Sequence, residues 1–306
     1  MPICLKEIPL TRLSSAMLAS LAVQAAVLEA ATTRKPGLVC MDTQGVHTDM
    51  DIRTLTASAF SLHAYFARAV ECGRRHAWAA PDDLFRRLRP LGRRAENAMF
   101  AATGGVNTHK GLIFSQGLIC AATGRLAARG ASANAAAICA EAAAFAQGVF
   151  ERDLVPLRHT TETPPAQAQQ LRVGRDLSAG EALYLRHGAA GVRGEAENGF
   201  PHALLGLQRL WDESARGDFN RAVLHTLLAL MAELQDTNIL WRGGQEKLHA
   251  VQTMARRILE SGGTTTSAGA AALAELQGYC LKHRLSPGGS ADMVSIALFF
   301  RLLLES

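Results

Sequence analysis

Apolar residues recur along this chain at steps of three and four. From Asp51 onward, Ile52, Leu55, Ala59, Leu62, Phe66 and Ala69 fall on one stripe, the pattern of a helix with one face against a core. Asp51 stands where an N-cap accepts bonds from the first free N–H groups of such a helix. Three further segments, 112–122, 222–234 and 293–304, are apolar nearly all round. A helix without a polar face is enclosed on every side, so these predict the centre of a layered bundle. Helical spacing places other elements at 12–31, 82–101, 132–150, 179–188, 195–214, 246–261 and 267–284. Runs of Val, Ile, Tyr and Thr that mark strands are nearly absent. The expected fold is all-α, a multi-layer bundle of roughly ten to twelve helices with several fully buried.

The stretch from Pro156 to Leu177 holds Thr160, Thr161, Thr163, Pro164, Pro165 and several glutamines. It has turn formers and no apolar period, so a flexible loop is predicted at 156–177. Buried-type helices lie on both sides of it and neither half is self-sufficient. One domain spanning 1–306 is therefore expected.

Composition narrows the function. The 306 residues are 48% hydrophobic and 19% charged, enough for a large core and unlike a disordered chain. A net charge of +5 fits an anionic partner: nucleic acid, a membrane surface or a phosphorylated small molecule. The one dense basic cluster, Arg86, Arg87, Arg89, Arg93 and Arg94, reads as a solvated helix face. No recognition-helix, zinc-finger or RNA-binding signature accompanies it, so nucleic acid is not expected. Six cysteines without a C-x-x-C pair read as reduced, mostly buried thiols of a cytoplasmic protein. Lys6 and Arg12 before the apolar run Met17–Ala31 partly resemble a signal peptide, but Gln24 and Glu29 interrupt that run and an amphipathic helix fits as well. No stretch offers the ~18 uninterrupted apolar residues of a membrane span, so no membrane association is expected.

Against this apolar background stand five polar, glycine-rich blocks, each beside a predicted helix end. Helix N-termini carry free N–H groups and about half a positive charge, so several meeting at one point make an anion site. The first block is Lys35-Pro36-Gly37-Leu38-Val39 with His47-Thr48-Asp49-Met50, offering Lys35 to a phosphate and Asp49 as base or metal ligand, unless Asp49 only caps a helix. The second, Thr103-Gly104-Gly105-Val106-Asn107-Thr108-His109-Lys110-Gly111, opens a buried helix. Its glycines allow close backbone approach, and Lys110 adds a point charge. The third, Gly191 to Pro201, frames Arg193 between glycines beside Glu195 and Glu197, suiting phosphate. The fourth is Asp236-Thr237-Asn238 with Arg242-Gly243-Gly244. Asp236 follows the apolar helix 222–234, where a carboxylate meets a negative dipole and invites a cation such as Mg²⁺ or Arg242. The fifth, Ser286-Pro287-Gly288-Gly289-Ser290-Ala291-Asp292, resembles a phosphate cradle. Lysines, arginines and carboxylates in this pattern suit Mg²⁺-dependent chemistry on a nucleoside triphosphate, without naming the reaction.

At these blocks the chain resembles the triphosphoribosyl-dephospho-CoA synthase family, from about residue 25 to the C-terminus. The nine residues Gly-Val-Asn-Thr-His-Lys-Gly-Leu-Ile and the other blocks in order carry the resemblance. The stretch from Met99 to Gln116 is closer to the citrate lyase branch than to the malonate decarboxylase branch. There are departures: Cys40 and Met41 stand where the family commonly has Asp-Arg, Arg34 where Pro is usual, and Val46 where a small Ala is. Arg34 or Asp42 would have to compensate for the missing pair.

The resemblance implies transfer of the 5-triphosphoribosyl group of ATP to the 2′-hydroxyl of 3′-dephospho-CoA, with release of adenine. Substitution at an anomeric carbon needs a base for the hydroxyl and stabilisation of an oxocarbenium-like state. The roles expected are Asp49 or Glu195 as base or oxocarbenium stabiliser and His109 as proton donor to adenine. Asp236, Asn238 and Asp292 are expected to hold Mg²⁺. Lys35, Gly104, Gly105, Asn107, Thr108, Lys110, Arg193, Arg242, Ser286, Gly288, Gly289 and Ser290 are expected to hold phosphates. The product would pass to a holo-lyase transferase and an apo-acyl carrier protein. A Mg²⁺-dependent N-glycosidic hydrolase of nucleotides or ADP-ribose shares this inventory. A non-catalytic CoA-binding assembly protein would fit the Cys40-Met41 departure.

Overall fold

A computed structural model describes residues 2–149, 179–215 and 217–306; the loop expected at 156–177 lies outside them. Among the described residues there is no β-strand, and the helices follow in the order α1 (Ser15–Ala31), α2 (Ile52–Ser61), α3 (His63–Arg75), α4 (Pro81–Ala102), α5 (Lys110–Ala128), α6 (Ala135–Ala146), α7 (Ala179–His187), α8 (Gly191–Glu197), α9 (Pro201–Ser214), α10 (Phe219–Glu233), α11 (Thr237–Glu260), α12 (Ser267–His283) and α13 (Gly288–Glu305). The all-α expectation holds.

The three segments apolar all round become α5, α10 and α13, each buried on nearly every side. Helix α5 is enclosed by α3, α4 and α6, and α10 by α9 and α11. Helix α13 touches α1, α5, α9, α10 and α11, so it joins the N-terminal layers to the C-terminal ones. One continuous apolar core runs from Ile3 to Leu303 through all of them. By length and composition α5 passes as a membrane span, but 78% of its apolar window is buried inside the bundle, which makes it a core helix. The apolar N-terminal run is α1, packed on α3 and α13. The arginine cluster of α4 is exposed throughout, as a solvated face requires. All six cysteines are free, and all but Cys4 are buried.

Two predicted helices divide, each for a local reason. The stripe from Asp51 breaks at Leu62, where the Ser61 hydroxyl donates back to the Ser58 carbonyl and competes with the helical ladder. The segment 195–214 breaks because Gly199 and Phe200 take positive φ. Pro201 disfavours the α region for Phe200 and opens α9 in their place. Helix α11 begins earlier than its apolar period, at Thr237, and kinks at Gly244, whose φ of 73° and ψ of −177° are not helical, so the predicted helix 246–261 is its second part. Asp51 caps α2 as expected, in a reciprocal pair with Thr54.

Helices α3 and α5 approach so closely that side chains are excluded from the crossing. A Cβ on Gly73 of α3 would lie 2.0 Å from the Ala121 carbonyl oxygen, and one on Gly124 of α5 would lie 2.1 Å from that of Val70. Backbone on both sides leaves nothing flexible to yield. Gly73→Ala should therefore cost roughly 1–3 kcal/mol, the range for overpacking. Gly278 of α12 has open space around it, and its replacement by Ala should be neutral or stabilising by up to ~1 kcal/mol. Urea unfolding of the two variants checks this; equal midpoints would contradict the close crossing.

Candidate active site

The chain leaving α1 folds back on itself between Thr32 and Met50. Its Cys40 N–H donates to the Thr43 carbonyl at 2.7 Å, and the Val46 N–H to that of Gly37 at 3.2 Å. This loop buries Lys35, whose ammonium donates to both the side chain and the carbonyl of Glu29 at 2.6 Å. The same loop presents His47, whose Nε2 is 2.9 Å from the Ser286 hydroxyl. Its Nδ1 is 3.8 Å from Asp49, a carboxylate whose side chain stays 60% exposed. Burial, then the Arg242 guanidinium, holds His47 below the usual histidine range, while Asp49 pulls it up. Beneath the loop, Val39 and Leu55 form a small apolar cluster with Ala30, and Met50 packs on it.

The block before α5 is a chain of hydroxyls. Thr108 donates to Ser58 at 2.6 Å, and the Ser58 hydroxyl lies 2.7 Å from His109 Nδ1. Burial and the Lys35 ammonium push His109 down to about 4. Asn107 accepts the Lys110 N–H at 3.3 Å, and the Lys110 ammonium sits 3.2 Å from Glu96, half exposed.

Asp236 joins the fourth block to the fifth. One carboxylate oxygen accepts the N–H groups of Asn238 and Ile239, at 2.9 and 3.3 Å. The other accepts the N–H and the hydroxyl of Ser290, at 2.7 and 2.9 Å. It thus caps α11 and also the first turn of α13, whose own N-cap, Pro287, offers no side-chain acceptor. Asp292, one turn into α13, lies against Gly111 at the start of α5. Burial, then Asp236 and Glu29, push its carboxyl well above the usual range. On α8, Glu195 approaches Nδ1 of His202 on α9 at 2.6 Å, and its other oxygen is buried without a hydrogen bond.

These groups surround one cleft of about 660 Å³. Residues from the first turns of α5, α11 and α13 line it: Lys110 and Gly111, Thr237 and Asn238, Gly288 and Gly289. The predicted convergence of helix N-termini is therefore present. Asp49, Glu195, His109, Lys35, Asn107, Thr108, Lys110, Arg242, Ser286, Gly288, Gly289, Asn238 and Asp292 all line the cleft.

Five predicted residues do not, and others do so in altered roles. Asp236 stands beyond the end of α10 as the cap of two following helices, so its partners are three N–H groups and the Ser290 hydroxyl, and both its oxygens are in use. Ser290 is one of those partners, fully buried. Gly104 and Gly105 form an exposed turn with φ of 64° and 92° and open space around them, and positive φ is reason enough for glycine there. Arg193 has its guanidinium against Gly180 of α7 and is not among the lining residues. Lys35 lines the cleft with its charge already matched by Glu29, and Asn238 turns its amide toward Gly288. Arg34 and Asp42, the expected compensators, are not among the lining residues either.

A protein-family model described as "ATP:dephospho-CoA triphosphoribosyl transferase" (CitG) matches residues 15–306. The chain belongs to this family. It is 41% identical over 287 residues to a probable 2-(5''-triphosphoribosyl)-3'-dephosphocoenzyme-A synthase of Albidiferax ferrireducens, covering 93% of this chain and 90% of the relative. It is 38% identical over 291 residues to the 2-(5''-triphosphoribosyl)-3'-dephosphocoenzyme-A synthase of Klebsiella pneumoniae, covering 94% and 91%. No solved structure matches.

The transferase family's blocks thus fall around one cleft, joined there by residues that sequence reasoning passed over. Glu29 was visible only as a polar break in an apolar run. His202, which lines the cleft, followed a helix-opening proline. Trp241, half exposed beside Arg242, lines the same cleft.

His109 supplies a test of this geometry through stability. An unfolded histidine titrates at about 6.5, well above the folded value of about 4, so the unfolded chain takes up that proton first. The contribution of neutral His109 is full above about pH 6.5 and is lost as pH falls toward 4, on the order of 3 kcal/mol in total. Urea unfolding at stepped pH should show this loss, with a shallower slope across the same window in His109→Gln. Equal slopes would place His109 in solvent.

Proposed function

We propose that this chain transfers the 5-triphosphoribosyl group of ATP to the 2′-hydroxyl of 3′-dephospho-CoA, releasing adenine. The observation that carries the reading is the cleft itself: three helix N-termini and the cations Lys110 and Arg242 meet where the family's blocks converge. Positive helix ends and cations suit a triphosphate that must be gripped and left intact. Trp241 offers an apolar face on which a nucleobase can stack.

Adenine leaves C1′ of the ribose as the incoming oxygen bonds to it, and the ribose passes through an oxocarbenium-like state. Asp49, exposed to the cleft and bound to no helix end, takes the proton of the 2′-hydroxyl, with His47 orienting it. Its negative charge also favours the developing cation. Glu195, already engaged by His202, is not the base.

Mg²⁺ would neutralise charge on the triphosphate. No group of three or more His, Cys, Asp or Glu side chains among the described residues is placed to hold a metal, but Mg²⁺ on nucleotides commonly uses one or two carboxylates and the phosphates themselves. Asp292 fits that part, since a cation would relieve the repulsion it feels from Asp236 and Glu29. In the citrate lyase branch the product would pass to a holo-lyase transferase and an apo-acyl carrier protein.

Purified protein incubated with ATP, Mg²⁺ and dephospho-CoA should release adenine only when the acceptor is present, with an adduct that retains three phosphates. Adenine released without acceptor would establish the hydrolase reading. Binding without adenine release would point to a carrier. Arg242→Ala and Asp292→Asn should each lower kcat/KM for ATP roughly tenfold to a hundredfold, about 1.4–2.8 kcal/mol.

A further inference from the structure

We infer that His202, held by Glu195, is the group that protonates adenine as it departs. The inference rests on the transfer reading above and assigns the acid which that reaction needs. Expulsion of an unprotonated purine anion from C1′ is slow, so a proton must reach a ring nitrogen of the base as the C1′–N9 bond breaks.

Two histidines other than His47 line the cleft, and their surroundings suit opposite tasks. His109 is fully enclosed, with a hydroxyl on Nδ1 and the Lys35 ammonium nearby. It carries no ionisable proton to give at neutral pH. His202 has a carboxylate oxygen 2.6 Å from Nδ1, and among the described residues its Nε2 makes no hydrogen bond. The second oxygen of Glu195 is buried and, among the described residues, has no hydrogen-bond partner. Glu195 on α8 and Glu233 on α10 are the charged groups acting on the ring, and both favour the imidazolium against the opposing effect of burial. Environments that push two histidines apart in this way separate an acid from a bystander.

The step balances as follows. The C1′–N9 bond breaks with its electron pair going to the purine, and the Nε2 proton of His202 passes to a purine ring nitrogen, so adenine leaves neutral. The dephospho-CoA oxygen bonds to C1′ and loses its proton to Asp49. Asp49 then releases its proton to solvent, and solvent returns one to His202. Glu195 is a positioning residue here, acting through the imidazole.

The experiment compares two leaving groups on one variant. His202→Gln is assayed with ATP and with the ribose 5-triphosphate that carries p-nitrophenoxide at C1, a group that leaves without a proton. Turnover of ATP should fall on the order of a hundredfold to ten-thousandfold, while p-nitrophenol release stays within about threefold of wild type. Glu195→Gln should keep part of the activity and move the alkaline limb of the kcat profile to lower pH. If both leaving groups slow equally, or if neither slows, His202 is not the acid. A wild-type chain that releases no adenine from ATP would instead remove the transfer reading, and this assignment with it.

Discussion

Two helices begin on the carboxylate of Asp236. It ends the turn out of α10, caps α11 with one oxygen and takes the first-turn donors of α13 with the other. A buried carboxylate is costly unless its lone pairs are filled, and four donors from two positive helix ends fill them. Burial still raises its pKa, and the hydrogen bonds work against that rise. The arrangement ties the directions of α11 and α13 to one side chain. Their N-termini open on the cleft, so the wall they form depends on this one group.

Charge is then arranged around that centre. Glu29 meets Lys35 at 2.6 Å, which pins the first block to α1. Asp292 is buried near Asp236 and Glu29, and burial, then their charges, push its carboxyl well above the usual range. The ammonium that sequence reasoning assigned to a phosphate is therefore part of the wall, matched by Glu29. Lys110 and Arg242, both exposed at the cleft, keep donors available for a ligand.

The core serves this site by being closely packed. Helices α3 and α5 meet backbone to backbone at Gly73 and Gly124, and Tyr65 donates its hydroxyl to the Ile113 carbonyl at 2.9 Å within the same interface. That contact positions the start of α5, which carries His109 and Lys110. A rigid crossing behind a polar helix end holds cleft-lining groups more tightly than loops alone would.

Helix periodicity, the three apolar segments and the cap at Asp51 were legible in the chain because they depend on near neighbours, three and four residues apart. The blocks were legible as well, since glycine, proline and charge next to a helix start are local signals, and their order carried the family. What each polar side chain does was decided by distant partners. Asp236 was read against the helix before it and answers to the two after it. Arg193, framed by glycines, turned to Gly180. Gly104 and Gly105 serve a turn. His202 had no local mark, because its meaning comes from Glu195 on another helix. Sequence by itself determined which segments are helical and which are enclosed, since burial writes a period into the chain. Only the tertiary structure decided which charges are already matched and which face the cleft, because pairing acts through space between residues that sequence spacing does not relate.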